Sequence, residues 1–176
     1  MLILITGGSA SGKSSFGERL FCELPAENRV YIATMKPYGA EELEKIEKHR
    51  KMREGKEITA VEKYTDIDGL KLPGRSSVML ECVCNLTANE MFDDDGAEHE
   101  MTGRIIEEIL NVSHAAENMI VITNDVGSDV ESGYSDSTKR YISAVGKINA
   151  VLAHEADIVI EMVCGIPLLL KGDRIW

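Results

Sequence analysis

Short apolar runs alternate with longer amphipathic stretches along this chain. Five runs rich in Val, Ile or Leu have the length and uniform hydrophobicity typical of strands buried in a parallel sheet. These runs cover residues 2–6, 29–34, 77–82, 118–123 and 157–162. Residues 58–64 predict a further edge strand, and the turn residues of 163–167 lead into a last strand over 168–171. The chain therefore ends in a predicted antiparallel hairpin.

Between the apolar runs, hydrophobic residues recur at helical spacing. The predicted helices cover residues 13–24, 40–54, 98–116 and 137–155. A regular alternation of strands and helices is typical of an α/β fold, in which helices cover both faces of a mostly parallel, doubly wound sheet.

The first strand leads directly into a glycine-rich loop with the complete phosphate-binding pattern GxxxxGK[ST]. The loop consists of Gly7, Gly8, Ser9, Ala10, Ser11, Gly12, Lys13 and Ser14, and Ser15 adjoins it. In this motif backbone N–H groups surround a phosphate, the lysine reaches the β and γ phosphates, and the hydroxyl of Ser14 holds Mg²⁺. A strand before the loop and a helix after it are the required context, so we predict a nucleotide site in a P-loop fold.

Length and net charge limit the classes of protein to which this chain can belong. A length of 176 residues suits one domain over residues 1–176, and the net charge of -11 disfavours a nucleic-acid surface. Because the overall field of such an acidic protein repels anions, an anionic nucleotide must be held by groups close to it in the site. We find neither a leader peptide nor an apolar stretch long enough to span a bilayer, so we expect a cytoplasmic protein.

Four cysteines are present, and only Cys82 and Cys84 are close in sequence. Their CxC spacing predicts two side chains on one face of a strand. The chain has no CxxC partner pair, so buried, reduced thiols are the favoured interpretation and a zinc site is the minor alternative.

A P-loop enzyme needs an acidic group at the end of a neighbouring strand, where it orients the metal or a metal-bound water. Glu81 closes the third of the five predicted strands and is our candidate for that group; its alternative role is to cap the next helix. Ligands of open parallel sheets bind outside the carboxyl ends of the strands. Thr34, Asn124 and Asp125 should therefore line the same rim.

The predicted helix over residues 40–54 is densely charged, with too few apolar positions to bury one face. It carries His49, followed by Arg50 and Arg53. Two interpretations are open: an ordinary surface histidine among ion pairs, or a nucleophile flanked by phosphate-binding cations. A solvated loop before a helix is the favoured interpretation of the acidic run at residues 93–95, and a metal site is the minor alternative.

Together these motifs resemble a known family, the bifunctional adenosylcobinamide kinase and adenosylcobinamide-phosphate guanylyltransferase. The P-loop is generic, whereas the full combination is specific and spans essentially the whole chain. The matching segments are GGSASGKS (7–14), YIAT (31–34), IEKHR (46–50), LEC (80–82), TNDVG (123–127), GKIN (146–149) and GIP (165–167).

The resemblance implies two reactions with ATP and GTP as substrates and Mg²⁺ as cofactor. A phosphoryl group passes to the hydroxyl of adenosylcobinamide, a corrinoid; GTP then guanylylates a histidine, and the GMP passes to the new phosphate. His49 matches that histidine, and Lys13 and Glu81 complete the implied catalytic set. Further nucleotide-site positions implied by the family are Ala33, Thr34, Met35, Arg50, Arg53 and Glu62. The resemblance also implies a RecA-type sheet and a homotrimer.

The chain departs from the family pattern outside the phosphate loop. After His49 it reads Arg-Glu-Gly-Lys-Glu over 53–57 in place of Arg-Pro and a tryptophan, and residues 128–131 and 141–143 also differ. Two other hypotheses therefore stay open. One is a kinase that has lost guanylyl transfer, and the other is a nucleotide-binding regulatory module with little catalysis.

Overall fold

Seven strands form one sheet in the order β3-β2-β4-β5-β1-β6-β7. Neighbouring strands are parallel, except that β7 runs antiparallel to β6. The strands are β1 (Leu2–Gly7), β2 (Asn28–Ala33), β3 (Thr59–Glu62), β4 (Ser76–Leu80), β5 (Asn118–Ile122), β6 (Ile158–Val163) and β7 (Ile166–Lys171). The α/β class, the predicted edge strand and the terminal hairpin are thus confirmed.

The structure is a computed structural model that describes residues 1–37, 39, 43–44, 46–47, 51, 55, 57–92, 101–126 and 133–176. The predicted helix at 40–54 and the start of the one at 98–116 fall largely outside these residues, as does the acidic run at 93–95. Described helices are α1 (Lys13–Glu23), α2 (Val83–Met91), α3 (Thr102–Ala115) and α4 (Asp136–Glu155). Among the described residues, no helix is long and apolar enough to cross a membrane.

Two apolar cores lie on opposite faces of the sheet because successive strand side chains point to opposite sides. In β1, Ile3 and Ile5 pack in the same cluster as Phe16 and Leu20 of α1. Leu2 and Leu4 belong to the second cluster, which contains buried residues of α2, α3 and α4. Within the described ranges, the sheet is therefore covered by α1 on one face and by α2, α3 and α4 on the other.

Helix α2 was missed by the sequence analysis, and the prediction that Cys82 and Cys84 share a strand face is wrong. Strand β4 ends at Leu80, Cys82 is the N-cap residue of α2, and Cys84 lies in its first turn. The sequence of α2, VCNLTANEM, is short and contains β-branched residues and asparagines with weak helix propensity. Burial of Val83, Leu86 and Met91 in its place stabilises the helix.

Candidate active site

The phosphate loop joins β1 to α1 and requires glycine at its first position. Gly7 has φ 141°, and a Cβ there would lie 2.5 Å from the carbonyl oxygen of Met162 in β6. Gly12, with φ 96°, is the N-cap residue of α1. Any other residue at Gly7 would clash with the neighbouring strand, which fixes the close approach of the loop to the sheet.

Lys13 is the first residue of α1, and its side chain folds back over the loop. Its Nζ donates hydrogen bonds to the carbonyl oxygen of Gly8 at 2.6 Å and to Oγ of Ser11 at 3.5 Å. Burial lowers the pKa of the ammonium, and the neighbouring Cys82 and Cys84 oppose that shift electrostatically. The ammonium of Lys13 is thus held against the backbone of its own loop.

The turn of the β6–β7 hairpin is hydrogen-bonded to the same loop. Its two turn residues, Cys164 and Gly165, have φ values of 50° and 83°, as a two-residue type I′ turn requires. The N–H of Gly165 donates to the carbonyl oxygen of Ser11 at 3.0 Å. The GIP segment is therefore part of the support of the phosphate loop.

The remaining loop hydroxyls lie in the loop before α1 or in its first turn. Ser14 is half-buried, whereas Ser9 and Ser15 are exposed, as is Ala10 with φ 56°. A hydroxyl at the start of a helix, next to a buried lysine, is a hard oxygen donor of the kind that Mg²⁺ prefers. The donor at Ser14 therefore fits the predicted metal.

Glu81 follows β4, but β4 is not the direct neighbour of the loop strand. Strand β5 lies between β1 and β4. The prediction that Glu81 ends a strand adjacent to the loop strand is therefore wrong, because its strand is the second one along the sheet. The axes of β1 and β4 are therefore about two strand spacings, or 9.6 Å, apart. At the end of β5 itself, the N–H of Asp125 donates to the carbonyl oxygen of Gly7 at 3.2 Å.

The buried carboxylate of Glu81 binds the segment that leaves β2. Its Oε2 accepts hydrogen bonds from the backbone N–H groups of Thr34 at 2.8 Å and Met35 at 3.0 Å. Its Oε1 accepts from the hydroxyl of Tyr31 at 3.1 Å. Thr34, Met35 and Glu81 were predicted as separate site residues, and the structure brings them into direct contact.

Thr34 makes two further hydrogen bonds to α2 and its cap. Its hydroxyl donates to the carbonyl oxygen of Cys82 at 3.2 Å, and its carbonyl accepts from Nδ2 of Asn89 at 2.9 Å. Nδ2 of Asn89 also donates to the carbonyl oxygen of Tyr64 at 3.0 Å. Asn89 thus joins the segments that follow β2 and β3, a role that sequence reasoning missed along with its helix.

The predicted pair Ala33 and Glu62 also meets at this rim. The two residues are register partners in β2 and β3, and the N–H of Lys63 donates to the carbonyl oxygen of Ala33 at 3.0 Å. The exposed Glu62 accepts from the hydroxyl of Tyr64 at 3.1 Å. Burial and this hydrogen bond raise the pKa of Tyr64, so its hydroxyl stays protonated and keeps donating.

Asn149 of α4 fixes the end of β5 beside the loop. Its Oδ1 accepts from the hydroxyl of Thr123 at 2.7 Å, and its Nδ2 donates to the carbonyl oxygen of Asn124 at 3.1 Å. The TN segment (123–124) and the GKIN segment (146–149) of the sequence are therefore in direct contact. His49, Arg50 and Arg53 lie outside the described residues.

Comparison with known families and proteins adds an independent line of evidence. Residues 3–170 match the family described as cobinamide kinase / cobinamide phosphate guanyltransferase. The chain is 30% identical over 185 residues to the bifunctional adenosylcobalamin biosynthesis protein CobU of Escherichia coli (strain K12), covering 97% of this chain and 100% of that protein. It is 26% identical over 172 residues to the corresponding CobP protein of Pseudomonas aeruginosa, covering 97% of each.

Solved structures with little sequence identity to this chain have a similar fold. A protein from Pyrococcus horikoshii OT3 superimposes with a TM-score of 0.51 at 10% identity, covering 98% of this chain and 87% of its own. A solved ATPase domain gives a TM-score of 0.49 at 12% identity, covering 91% of this chain and 68% of its own.

Proposed function

The chain belongs to the cobinamide kinase / cobinamide phosphate guanyltransferase family, and from this premise we propose that it catalyses two successive transfers to a corrinoid. ATP or GTP first phosphorylates the hydroxyl of adenosylcobinamide. GMP from GTP then passes to that phosphate and gives adenosylcobinamide-GDP. The observation that carries the proposal is the loop itself, with the buried Lys13 folded over the Gly8 carbonyl.

In the kinase step, the chain binds and orients the phosphates. Loop N–H groups and the N-terminus of α1 bind the β and γ phosphates, and Lys13 exchanges its bond to Gly8 for phosphate oxygens. Mg²⁺, when bound, offsets the charge on the phosphates; Ser14 would hold it and Glu81 would orient its water shell. The substrate hydroxyl attacks the γ phosphorus and releases its proton to solvent, the bond from that phosphorus to the bridging oxygen of the β phosphate breaks, and the nucleoside diphosphate leaves.

In the second step, we assign the nucleophile to His49. A neutral imidazole nitrogen attacks the α phosphorus of GTP, the bond to the β phosphate breaks, and pyrophosphate leaves. The phosphate of the corrinoid then attacks the same phosphorus and the nitrogen–phosphorus bond breaks. Arg50 and Arg53 would offset the charge that develops on the phosphate oxygens.

GTP labelled at the γ phosphate tests the first step, and GTP labelled at the α phosphate tests the second. We expect α-labelled GTP to leave an acid-labile, alkali-stable label on the protein, and His49→Ala to abolish it. His154, an exposed histidine of α4, supplies the matched control, and His154→Ala should label normally. Phosphorylation of adenosylcobinamide should persist in both variants. If His49→Ala retains the label, the nucleophile assignment is wrong.

The same experiment decides the second candidate function, a kinase without guanylyl transfer. The departures at 53–57, 128–131 and 141–143 favour it. Of these residues, Tyr141 packs near Phe92 and donates to the carbonyl oxygen of Cys84, so it has a structural role here. Corrinoid phosphorylation with no protein label from α-labelled GTP would establish this alternative.

We further propose a cytoplasmic homotrimer in which residues 1–176 act as one catalytic unit. Support for self-association comes from β7 at the sheet edge, where Ile166 is 62% and Leu170 is 59% exposed. Light scattering after gel filtration should give a mass of three chains. Leu170→Asp should shift that mass towards one chain, and an unchanged trimer would remove β7 from the interface.

A further inference from the structure

Asn124 lies just beyond the end of β5, the strand between β1 and β4. The N–H of Thr123, on one side of it, donates to the carbonyl oxygen of Ile5 at 3.0 Å. The N–H of Asp125, on its other side, donates to the carbonyl oxygen of Gly7 at 3.2 Å. Hydrogen-bonded strands are about 4.8 Å apart. Asn124 is therefore fixed beside the first residue of the phosphate loop.

The side chain of Asn124 belongs to the sheet face that α1 covers. Ile120 and Ile122 pack in the same cluster as Phe16 of α1, and residues two apart in a strand share a face. The hydrogen bonds that flank Asn124 continue the ladder with β1, so this alternation extends to it. Thr123 is on the opposite face, where its hydroxyl bonds α4. The Asn124 amide and the lysine of the loop are therefore on the same side of the sheet.

Packing of Gly17 sets the height of Lys13 relative to Asn124. Gly17 lies directly over β5, because a Cβ added to it would be 2.7 Å from Cδ1 of Ile122. Lys13 is four residues, or about 6 Å, nearer the rim along α1. Asn124 is two residues beyond Ile122, or about 6.6 Å nearer the rim along β5. Lys13 and Asn124 therefore lie at the same level of the rim, one on the helix and one on the sheet.

The Asn124 side chain is half-buried and available to a ligand. Its carbonyl oxygen on the backbone accepts from Nδ2 of Asn149 at 3.1 Å, whereas its side-chain amide forms no hydrogen bond with the described residues. The carboxylate of Glu81, on the next strand, is by contrast bound by two backbone N–H groups and a tyrosine hydroxyl. A primary amide offers two N–H donors and carries no negative charge. A fixed neutral donor beside a lysine is suited to binding a phosphate oxygen.

We propose that Asn124 is a further catalytic residue, whose Nδ2 donates a hydrogen bond to an oxygen of the γ-phosphoryl group that Lys13 binds. This assignment rests on the proposed kinase step. The loop binds the β phosphate of a nucleoside diphosphate and of a triphosphate alike, whereas only the triphosphate carries the oxygens that Asn124 contacts. A preorganised donor to these oxygens stabilises the charge that they carry during transfer. Asn124 therefore raises turnover and lets the site distinguish a triphosphate from a diphosphate.

Calorimetric titration of the full chain with Mg-ADP and with the Mg complex of the β,γ-imido analogue of ATP tests this contact. In Asn124→Ala we expect Kd for the analogue to rise about tenfold, Kd for ADP to change less than about twofold, and kcat for corrinoid phosphorylation to fall at least about tenfold. Asn111→Ala is the matched control, because Asn111 bonds Asp68 from α3, and it should keep both affinities. Kd values that rise equally for the two nucleotides, or for neither, would overturn the assignment.

Asn124→Asp keeps the shape of the side chain and replaces its N–H donors with a carboxylate oxygen. The added charge repels the γ phosphate, so we expect the analogue to bind at least as weakly as it does to Asn124→Ala. Wild-type affinity of Asn124→Asp for the analogue would contradict the contact. The wild-type titrations separate this inference from the proposed function. A wild-type chain that binds neither nucleotide would overturn both, whereas wild-type binding and corrinoid phosphorylation that Asn124→Ala leaves intact would remove only the role of Asn124.

Discussion

The backbone N–H of Thr34 donates a 2.8 Å hydrogen bond to Oε2 of Glu81, which ties together the ends of two strands adjacent in the sheet. Glu81 is buried, so the orientation of its carboxylate is fixed by this bond and by those from Met35 and Tyr31. These hydrogen bonds therefore fix where the negative charge of the carboxylate lies at the rim. Its charge and its hydrogen bonds can be tested separately.

Glu81→Gln removes the charge and keeps an oxygen for the Thr34 and Met35 N–H groups. We expect kcat of the kinase step to fall at least about hundredfold, the size typical of losing an electrostatic group in a transfer site, while nucleotide affinity stays within about threefold. Glu81→Ala also removes the hydrogen bonds and should lower the free energy of unfolding by about 1–3 kcal/mol. Steady-state kinetics and urea titration measure the two effects. Full turnover in Glu81→Gln would restrict this residue to a structural role.

Asn89 is a positioning residue, because it binds the carbonyl oxygens of Thr34 and Tyr64 and is expected to make no contact with the nucleotide. We expect Asn89→Ala to raise KM for the nucleotide about tenfold and to change kcat less than about threefold. Asn111→Ala is the matched control, because Asn111 is also a helical asparagine with an exposed side-chain hydrogen bond to Asp68. A general loss of stability would lower active-enzyme concentration and leave KM unchanged.

Lys13→Ala should weaken nucleotide binding at least about hundredfold, since it removes the cation that the loop holds at the phosphate position. The single tryptophan, Trp176, packs edge-on against Phe16 of α1 at 5.6 Å between ring centroids. Its fluorescence is therefore a suitable binding signal. Lys139→Ala removes an exposed helical lysine paired with Asp136 and should bind normally. Unchanged affinity in Lys13→Ala would refute the site assignment.

Glu108 links stability to pH. Burial raises the pKa of its carboxyl above that of the unfolded chain, although Arg104 and the N–H of Ile67 oppose the shift. The folded state therefore binds this proton more tightly, so the contribution of Glu108 to stability is full below the unfolded pKa of about 4.3 and is lost as pH rises through the folded pKa. Glu108→Gln should remove this component. Urea unfolding from pH 4 to 7 measures it, and parallel pH profiles for both proteins would contradict the linkage.

Local patterns predicted the strands and the loop accurately because their causes are local. The β1 run, the glycines at positions 7 and 12, and the lysine that follows are sufficient to specify a strand, a loop and a helix start. Helix α2 was missed for the opposite reason. Its residues have weak helix propensity, and the burial of Val83, Leu86 and Met91 in the assembled core compensates for it.

The sequence by itself determined the α/β class, the phosphate loop and the family motifs, since each is written in contiguous residues. Only the tertiary structure decided which strand ends meet. Strand β5 lies between the strand that Glu81 follows and the loop strand. Thr34 forms hydrogen bonds with Glu81 and Asn89, which are 47 and 55 residues away in the sequence. Strand order depends on how crossover helices pack both sheet faces, and that packing depends on contacts between distant segments.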